Sequence, residues 1–201
     1  MTEARIALLR HGQTEWSANG RHTSVTDLDL TPEGEQQATA VRGALAVLGI
    51  DPQTVLSSPR LRAQRTAAMA GLTVTSIVDD LAEWNYGDYE GLTSVEIRAQ
   101  QPGWSLFVDG CPGGESPEQV GARADRALAT AASSLSKGDV VLIGHGHFSR
   151  VLAARWTGLP VTAGAVLEMD AAAVSVLGHY HDDRSIEHLN VPAAVATAGR
   201  H

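Results

Sequence analysis

The chain has 201 residues, 43% of them hydrophobic, a formal net charge of −8 and a single cysteine, Cys111. That length suits one domain with a sizeable core. The acidic balance argues against a nucleic-acid partner, one cysteine excludes an intrachain disulfide and a cysteine metal cluster, and no apolar run is long enough to span a membrane.

Residues 4–10 read as the first strand. It follows an acid-bearing start with no leader-like apolar stretch, so a cytoplasmic protein is expected. Its apolar run, Ile6-Ala7-Leu8-Leu9, stops at Arg10-His11-Gly12. A cation and an imidazole then sit at the carboxyl end of a strand, where open α/β sheets keep their ligand sites. Thr31-Pro32 opens a helix with a favourable N-cap and first-turn pair. Ala38, Val41, Leu45 and Leu48 recur at helical spacing, and Gly49 closes the run. A short strand is expected at Thr54 to Leu56, a helix from Ser58-Pro59 to about Met69, and a third strand at Val74 to Val78. Residues 80–92, with Trp84, Tyr86, Gly87, Tyr89 and Gly91, read as an irregular loop. Residues 93–101 look helical, and 102–115 form a Pro/Gly-rich excursion.

Ser116-Pro117-Glu118-Gln119 is a capping box in sequence. Its helix is expected to bury Val120, Ala124, Ala127, Leu128, Ala131 and Leu135. Val140 to Ile143 is the strongest strand and runs into Gly144-His145-Gly146-His147, ahead of a helix from about Phe148 to Trp156. Late strands are expected at 165–169, 173–180 and 185–189; an edge left among them could pair two subunits into a homodimer. A single domain is expected over 1–191, with a fraying Ala-rich tail at 192–201. Strands alternating with helices predict an α/β fold, a three-layer α/β/α sandwich on a mostly parallel central sheet.

The polar residues collect at three strand ends: Arg10 and His11, then Ser57, Ser58 and Arg62, then His145, Gly146 and His147. A lone strand-end histidine is more often structural, and a lone first-turn arginine is usually a solvated charge. Their conjunction on one edge of a parallel sheet, beside helix N-termini, favours an anion site for a phosphoryl group. A metal site on His145 and His147 is the other sharp reading. It lacks supporting ligands, and the adjacent arginines would repel a divalent cation. No metal and no cofactor are expected.

The ordered motifs resemble the histidine phosphatase superfamily, the phosphoglycerate-mutase-like phosphatases. The first block matches Arg10, His11, Gly12, Thr14, Trp16, Gly20 and Arg21, and the second runs from Ser57 through Arg62 to Ala67. Leu81, Glu83, Gly87, Glu90 and Gly91 form a third; Gly113 to Ser116 and His145-Gly146 are the fourth and fifth. The resemblance implies that His11 is the nucleophile and becomes phosphohistidine. Arg10, Arg62 and His145 would bind the phosphoryl oxygens, and Glu83 would protonate the leaving alkoxide and then activate water. Thr14, Ser17, Arg21, His22, Thr23, Gly146 and His147 are the expected substrate-binding set, and Glu90 is expected to cap the helix after Gly91.

Mutases of this superfamily usually carry asparagine at the Ser17 position and Gln-Gly at Thr23-Ser24. They also hold more basic residues than the single cation, Arg98, found here in 92–112. The expected activity is therefore metal-independent hydrolysis of a small phosphorylated metabolite. The alternative is a bisphosphoglycerate-dependent phosphoglycerate mutase.

Overall fold

The computed structural model describes residues 4–193. Among them, one sheet is built from β1 (Ile6–Arg10), β2 (Pro52–Ser57), β3 (Ser76–Ile77), β4 (Asp139–Gly144), β5 (Val174–Tyr180) and β6 (Asp183–Val191). Its spatial order is β3-β2-β4-β1-β5-β6. β1, β4, β2 and β3 run parallel to one another, whereas β5 is antiparallel to β1 and forms a hairpin with β6. The helices are α1 (Glu15–Ala18), α2 (Pro32–Val47), α3 (Leu61–Met69), α4 (Ser94–Gln100), α5 (Leu106–Asp109), α6 (Pro117–Ala132) and α7 (Gly146–Trp156).

The layering follows from the period-two alternation of strand side chains. Ala7 and Leu9 of β1 join Val41, Ala44 and Leu45 of α2 and Ala63 and Ala67 of α3 on one face. Ile6 and Leu8 join Val120, Ala124 and Ala127 of α6 and Phe148, Val151 and Leu152 of α7 on the other. Both faces are covered, so β1 and β4 tolerate unbroken apolar runs. The result is the three-layer α/β/α sandwich. The expected caps form: the Thr31 hydroxyl accepts from the Gly34 amide at 3.0 Å, and Ser116 and Gln119 close the box that starts α6.

Several local expectations are corrected. α3 begins at Leu61 with Arg60 as its N-cap residue, because the Ser58 hydroxyl is engaged with the His145 ring. The third strand shrinks to Ser76–Ile77, which pairs only with β2 through Leu56 and Ser57 and whose two residues are exposed. Without burial, nothing extends it. Leu135 lies beyond α6 in a 3₁₀ turn, Leu135–Lys137. Residues 165–169 form no strand; a 3₁₀ stretch, Val161–Val166, takes in the first two of them. The Arg150 guanidinium takes the Gly164 and Ala165 carbonyls, which a β-ladder would have needed. The excursion at 102–115 contains α5 and buries Trp104 and Phe107. The tail expected from residue 192 begins with Ala193 buried against the α2–α3 side of the sheet; residues 194–201 of that tail lie outside the described residues. No described helix is long and apolar enough to cross a membrane.

Candidate active site

The sheet register brings the strand ends together. Arg10 pairs with Gly144, and Ser57 with Ile143, so all three chemically loaded loops leave the sheet at one level. The His11 amide donates to the Gly144 carbonyl at 3.0 Å, and the Ser58 amide to the Ile143 carbonyl at 2.9 Å.

His11 is buried, 5% exposed, with Nδ1 2.7 Å from the Gly12 carbonyl. A carbonyl only accepts, so Nδ1 carries the hydrogen and Nε2 is left with its lone pair. Burial, then the charges of Arg62 and Arg10, hold the imidazole well below its ordinary pKa. His145 meets His11 edge-on with ring centroids 5.2 Å apart. Its Nδ1 accepts from Arg62 Nε at 3.3 Å, and its Nε2 donates to the Ser58 hydroxyl at 2.7 Å. It too is pushed well below its ordinary pKa, by burial first and then by Arg62. Two neutral rings with fixed tautomers result.

Arg10 donates through Nη1 to the Met169 carbonyl at 2.6 Å, while its buried Nε–H has no acceptor among the described residues. Its guanidinium lies on Gly146, where an added Cβ would approach Cζ to 3.2 Å. A side chain there would press the fork back by a few tenths of an ångström. Arg62 is fully buried and spends its donors on the carbonyls of Thr23, Ser24 and Thr26 as well as on His145.

Glu83 arrives from a loop on the other side of the sheet. Its carboxylate accepts from the Trp84 amide at 2.8 Å, the Phe148 amide at 2.8 Å and the His147 amide at 3.1 Å. The last two are free amides of the first turn of α7, whose own N-cap residue, His145, offers no side-chain bond. A residue 64 positions away in sequence thus caps α7, where the positive end of the helix dipole lies. Arg123 holds the Glu83 loop in place. It donates to the carbonyls of Asp80, Ala82 and Glu83, pairs bidentately with Glu115 and covers the Phe148 ring at 4.1 Å.

A cavity of about 250 Å³ opens over these groups. Arg10, His11 and Glu83 line it, as do Ser17, Arg21, His22, Thr23, Gly146 and His147 of the expected substrate-binding set. Arg62 and His145 stand behind the lining. Thr14 does not reach it: it is fully buried, and its hydroxyl accepts from the Ser17 amide to cap α1. Glu90 does not cap α4, which Thr93 and Glu96 cap themselves; its carboxylate instead takes the amides of Ser24 and Thr26 and the Ser24 hydroxyl. Those bonds hold the Glu90 carboxyl below its usual pKa despite burial, which pulls the other way. His22 and His147 stack at 5.6 Å with rings 17° apart, and His147 Nδ1 bonds the Tyr86 hydroxyl at 2.7 Å.

Sequence reading missed Arg150, which also lines the cavity. It lies one turn beyond Gly146 and His147 on α7, and that spacing was the available signal. It missed Arg123 as well, for which no local signal exists. Among the described residues no cluster of three or more His, Cys, Asp or Glu side chains is placed to hold a metal ion.

Comparison with known proteins identifies the family. The family described as "Histidine phosphatase superfamily (branch 1)" matches residues 6–192. An acid phosphatase of Mycobacterium tuberculosis (strain ATCC 25618 / H37Rv) is 45% identical over 182 residues, covering 90% of each chain. A sedoheptulose 1,7-bisphosphatase of Saccharomyces cerevisiae is 36% identical over 186 residues, covering 78% of this chain and 69% of that one. The solved structure of the open reading frame Rv3214 from Mycobacterium tuberculosis superposes with a TM-score of 0.92 at 44% identity, covering 94% of this chain and 98% of the other. With His11, Arg10 and Glu83 around one cavity and the match running nearly end to end, the chain belongs to the histidine phosphatase superfamily (branch 1) and is an enzyme of that phosphatase and mutase group.

Proposed function

We propose that the protein is a metal-independent phosphomonoesterase acting on a small phosphorylated metabolite through a phosphohistidine at His11. The observation that carries this reading is the bare Nε2 lone pair of His11, facing a cavity that also holds the Arg10 fork and the Glu83 carboxyl. The phosphoryl group docks with its negative oxygens against the Arg10 guanidinium, which lines the cavity. His11 Nε2 attacks phosphorus in line, the P–O bond to the alcohol breaks, and the Glu83 carboxyl delivers its proton to the departing oxygen. The Glu83 carboxylate then takes a proton from water as that water attacks phosphorus. The P–N bond breaks, phosphate leaves, and His11 returns to its neutral form. Arg62 contributes charge from behind His11, and His145 holds that charge in place. Guanidinium groups thereby fill the role that a divalent cation plays at other phosphoryl sites.

Two of the relatives carry the names of hydrolases, acid phosphatase and sedoheptulose 1,7-bisphosphatase, which supports hydrolysis over phosphoryl return. The test is hydrolysis of p-nitrophenyl phosphate under chelator by the wild type and by His11→Ala. Activity in the wild type, its loss in the variant and an acid-labile label trapped by rapid quench are expected. Full activity of His11→Ala, or strict dependence on added metal, refutes the reading. Interconversion of 3- and 2-phosphoglycerate faster than hydrolysis would identify a mutase instead.

A further inference from the structure

His11 Nδ1 is held by the Gly12 carbonyl, and that carbonyl belongs to a peptide whose other end is also held. The N–H of the same peptide, that of Gln13, donates to Oε1 of Gln37 on α2 at 3.0 Å. A backbone amide only donates, so the oxygen end of the Gln37 side chain faces it, and Nε2 turns toward Glu33 Oε1 at 3.5 Å. The line from His11 Nδ1–H through the Gly12 carbonyl and the Gln13 N–H to Gln37 Oε1 thus crosses one peptide plane. Gln37 does not line the cavity over His11, and it reaches the nucleophile only through this plane.

The place of this peptide is fixed without Gln37. The Gly12 amide donates to Thr66 Oγ1 at 3.0 Å, the Gln13 carbonyl accepts from the Thr31 amide at 2.9 Å, and the His11 carbonyl accepts from the Ala172 amide at 3.1 Å. The two backbones also touch: a Cβ on Gly12 would strike the Gly34 carbonyl, and one on Gly34 the Gln13 carbonyl. What the Gln37 bond adds is electronic. An amide is a resonance hybrid, so a partner that draws on its N–H leaves more negative charge on its oxygen. A more negative Gly12 oxygen grips Nδ1–H harder and moves electron density toward Nε2. It also steadies the positive charge that the ring gains as Nε2 attacks phosphorus. The charged and titratable groups about His11 are Arg10, Arg62, His145 and Glu83, and those beside Gln37 are Glu33 and Asp170. The two arginines oppose a cationic ring, and the Gly12 carbonyl works against them.

We propose that Gln37 is a positioning residue for His11: through the Gly12–Gln13 peptide, its Oε1 sets the strength of the bond on Nδ1–H and with it the nucleophilicity of Nε2. This rests on the phosphohistidine reading and adds to it a residue that never touches substrate. The test uses the wild type, Gln37→Met, which removes the acceptor, and Gln37→Glu, which replaces it by a stronger, charged one. Rapid quench with labelled p-nitrophenyl phosphate gives the saturating rate of phosphohistidine formation and the half-saturating concentration. Proton spectra of protein labelled with ¹⁵N-histidine give the shift of the Nδ1–H signal that His11→Ala deletes. Gln37→Met is expected to slow phosphohistidine formation by about three- to tenfold, to change half-saturation by less than about twofold, and to move the proton upfield. Gln37→Glu is expected to form phosphohistidine at least as fast as the wild type and to move the proton downfield, which keeps the test alive should Gln37→Met fold poorly. An equal loss of rate in both variants marks a merely structural contact and overturns the proposal, as does a proton unmoved in Gln37→Glu. Either result leaves phosphoryl transfer to His11 standing. A wild type that forms no phosphohistidine removes the phosphohistidine reading, and the kinetic claim for Gln37 with it.

Discussion

Glu83→Gln separates the proton of Glu83 from its shape. The carboxylate accepts three amides, two on Oε1 and one on Oε2. A glutamine has one acceptor oxygen. Placed to keep Trp84 and Phe148, it turns its NH₂ toward the His147 amide, donor against donor. Loss of that bond and the unsatisfied donor cost about 1–3 kcal/mol. For a chain of this size that lowers Tm by about 2–12 °C. The kinetic effect depends on the leaving group. An alkoxide needs the proton, so kcat/KM for glycerol 3-phosphate should fall by about 10²–10⁴. p-Nitrophenolate leaves without help, so its kcat/KM, which reads only the steps up to departure, should fall by less than about tenfold. Thermal melts and steady-state kinetics on both esters give the two readouts. An equal loss on the two esters would refute Glu83 as the proton donor. An unchanged Tm would refute its place at the start of α7.

Arg123→Met strips the Glu83 loop of its carbonyl donors and leaves Glu115 without its bidentate partner; urea unfolding should show a loss of about 3 kcal/mol, and alkyl-ester turnover should fall with it. Gly12→Ala drives a Cβ into the Gly34 carbonyl and disturbs the carbonyl that orients His11; a cost of about 1–3 kcal/mol in the same unfolding assay and a lower kcat are expected. His11, His22, His145 and His147 all sit below their ordinary pKa, chiefly through burial. Below pH about 6.5 the unfolded chain therefore binds protons that the folded chain refuses. Stability is full above that pH and falls as pH drops through it toward the folded values; a Tm that holds constant from pH 7 down to pH 5 would contradict this. The same depression keeps His11 in its nucleophilic form well into the acid range, so the acid limb of kcat/KM should lie below pH 6.5.

What the sequence determined by itself was the two central strands, β1 and β4, and the polar residues that follow them. The unbroken apolar runs of Ile6–Arg10 and Asp139–Gly144 are local patterns, and they place Arg10, His11 and His145 at strand ends without knowledge of the rest of the chain. The caps at Thr31 and Ser116 were equally local, because a cap is decided by atoms three residues apart. Tertiary structure alone decided which distant groups meet. It carried Glu83 to the first turn of α7, turned the Arg62 fork onto the 23–26 carbonyls, and sent Glu90 to the Ser24 and Thr26 amides rather than to α4. It also spent the Gly164 and Ala165 carbonyls on Arg150, so that an apolar stretch read as a strand has no ladder to join. The reason is physical. A buried donor or acceptor must find a partner, but periodicity constrains only neighbours within a turn or a pleat, so the partner's identity is set when whole layers pack.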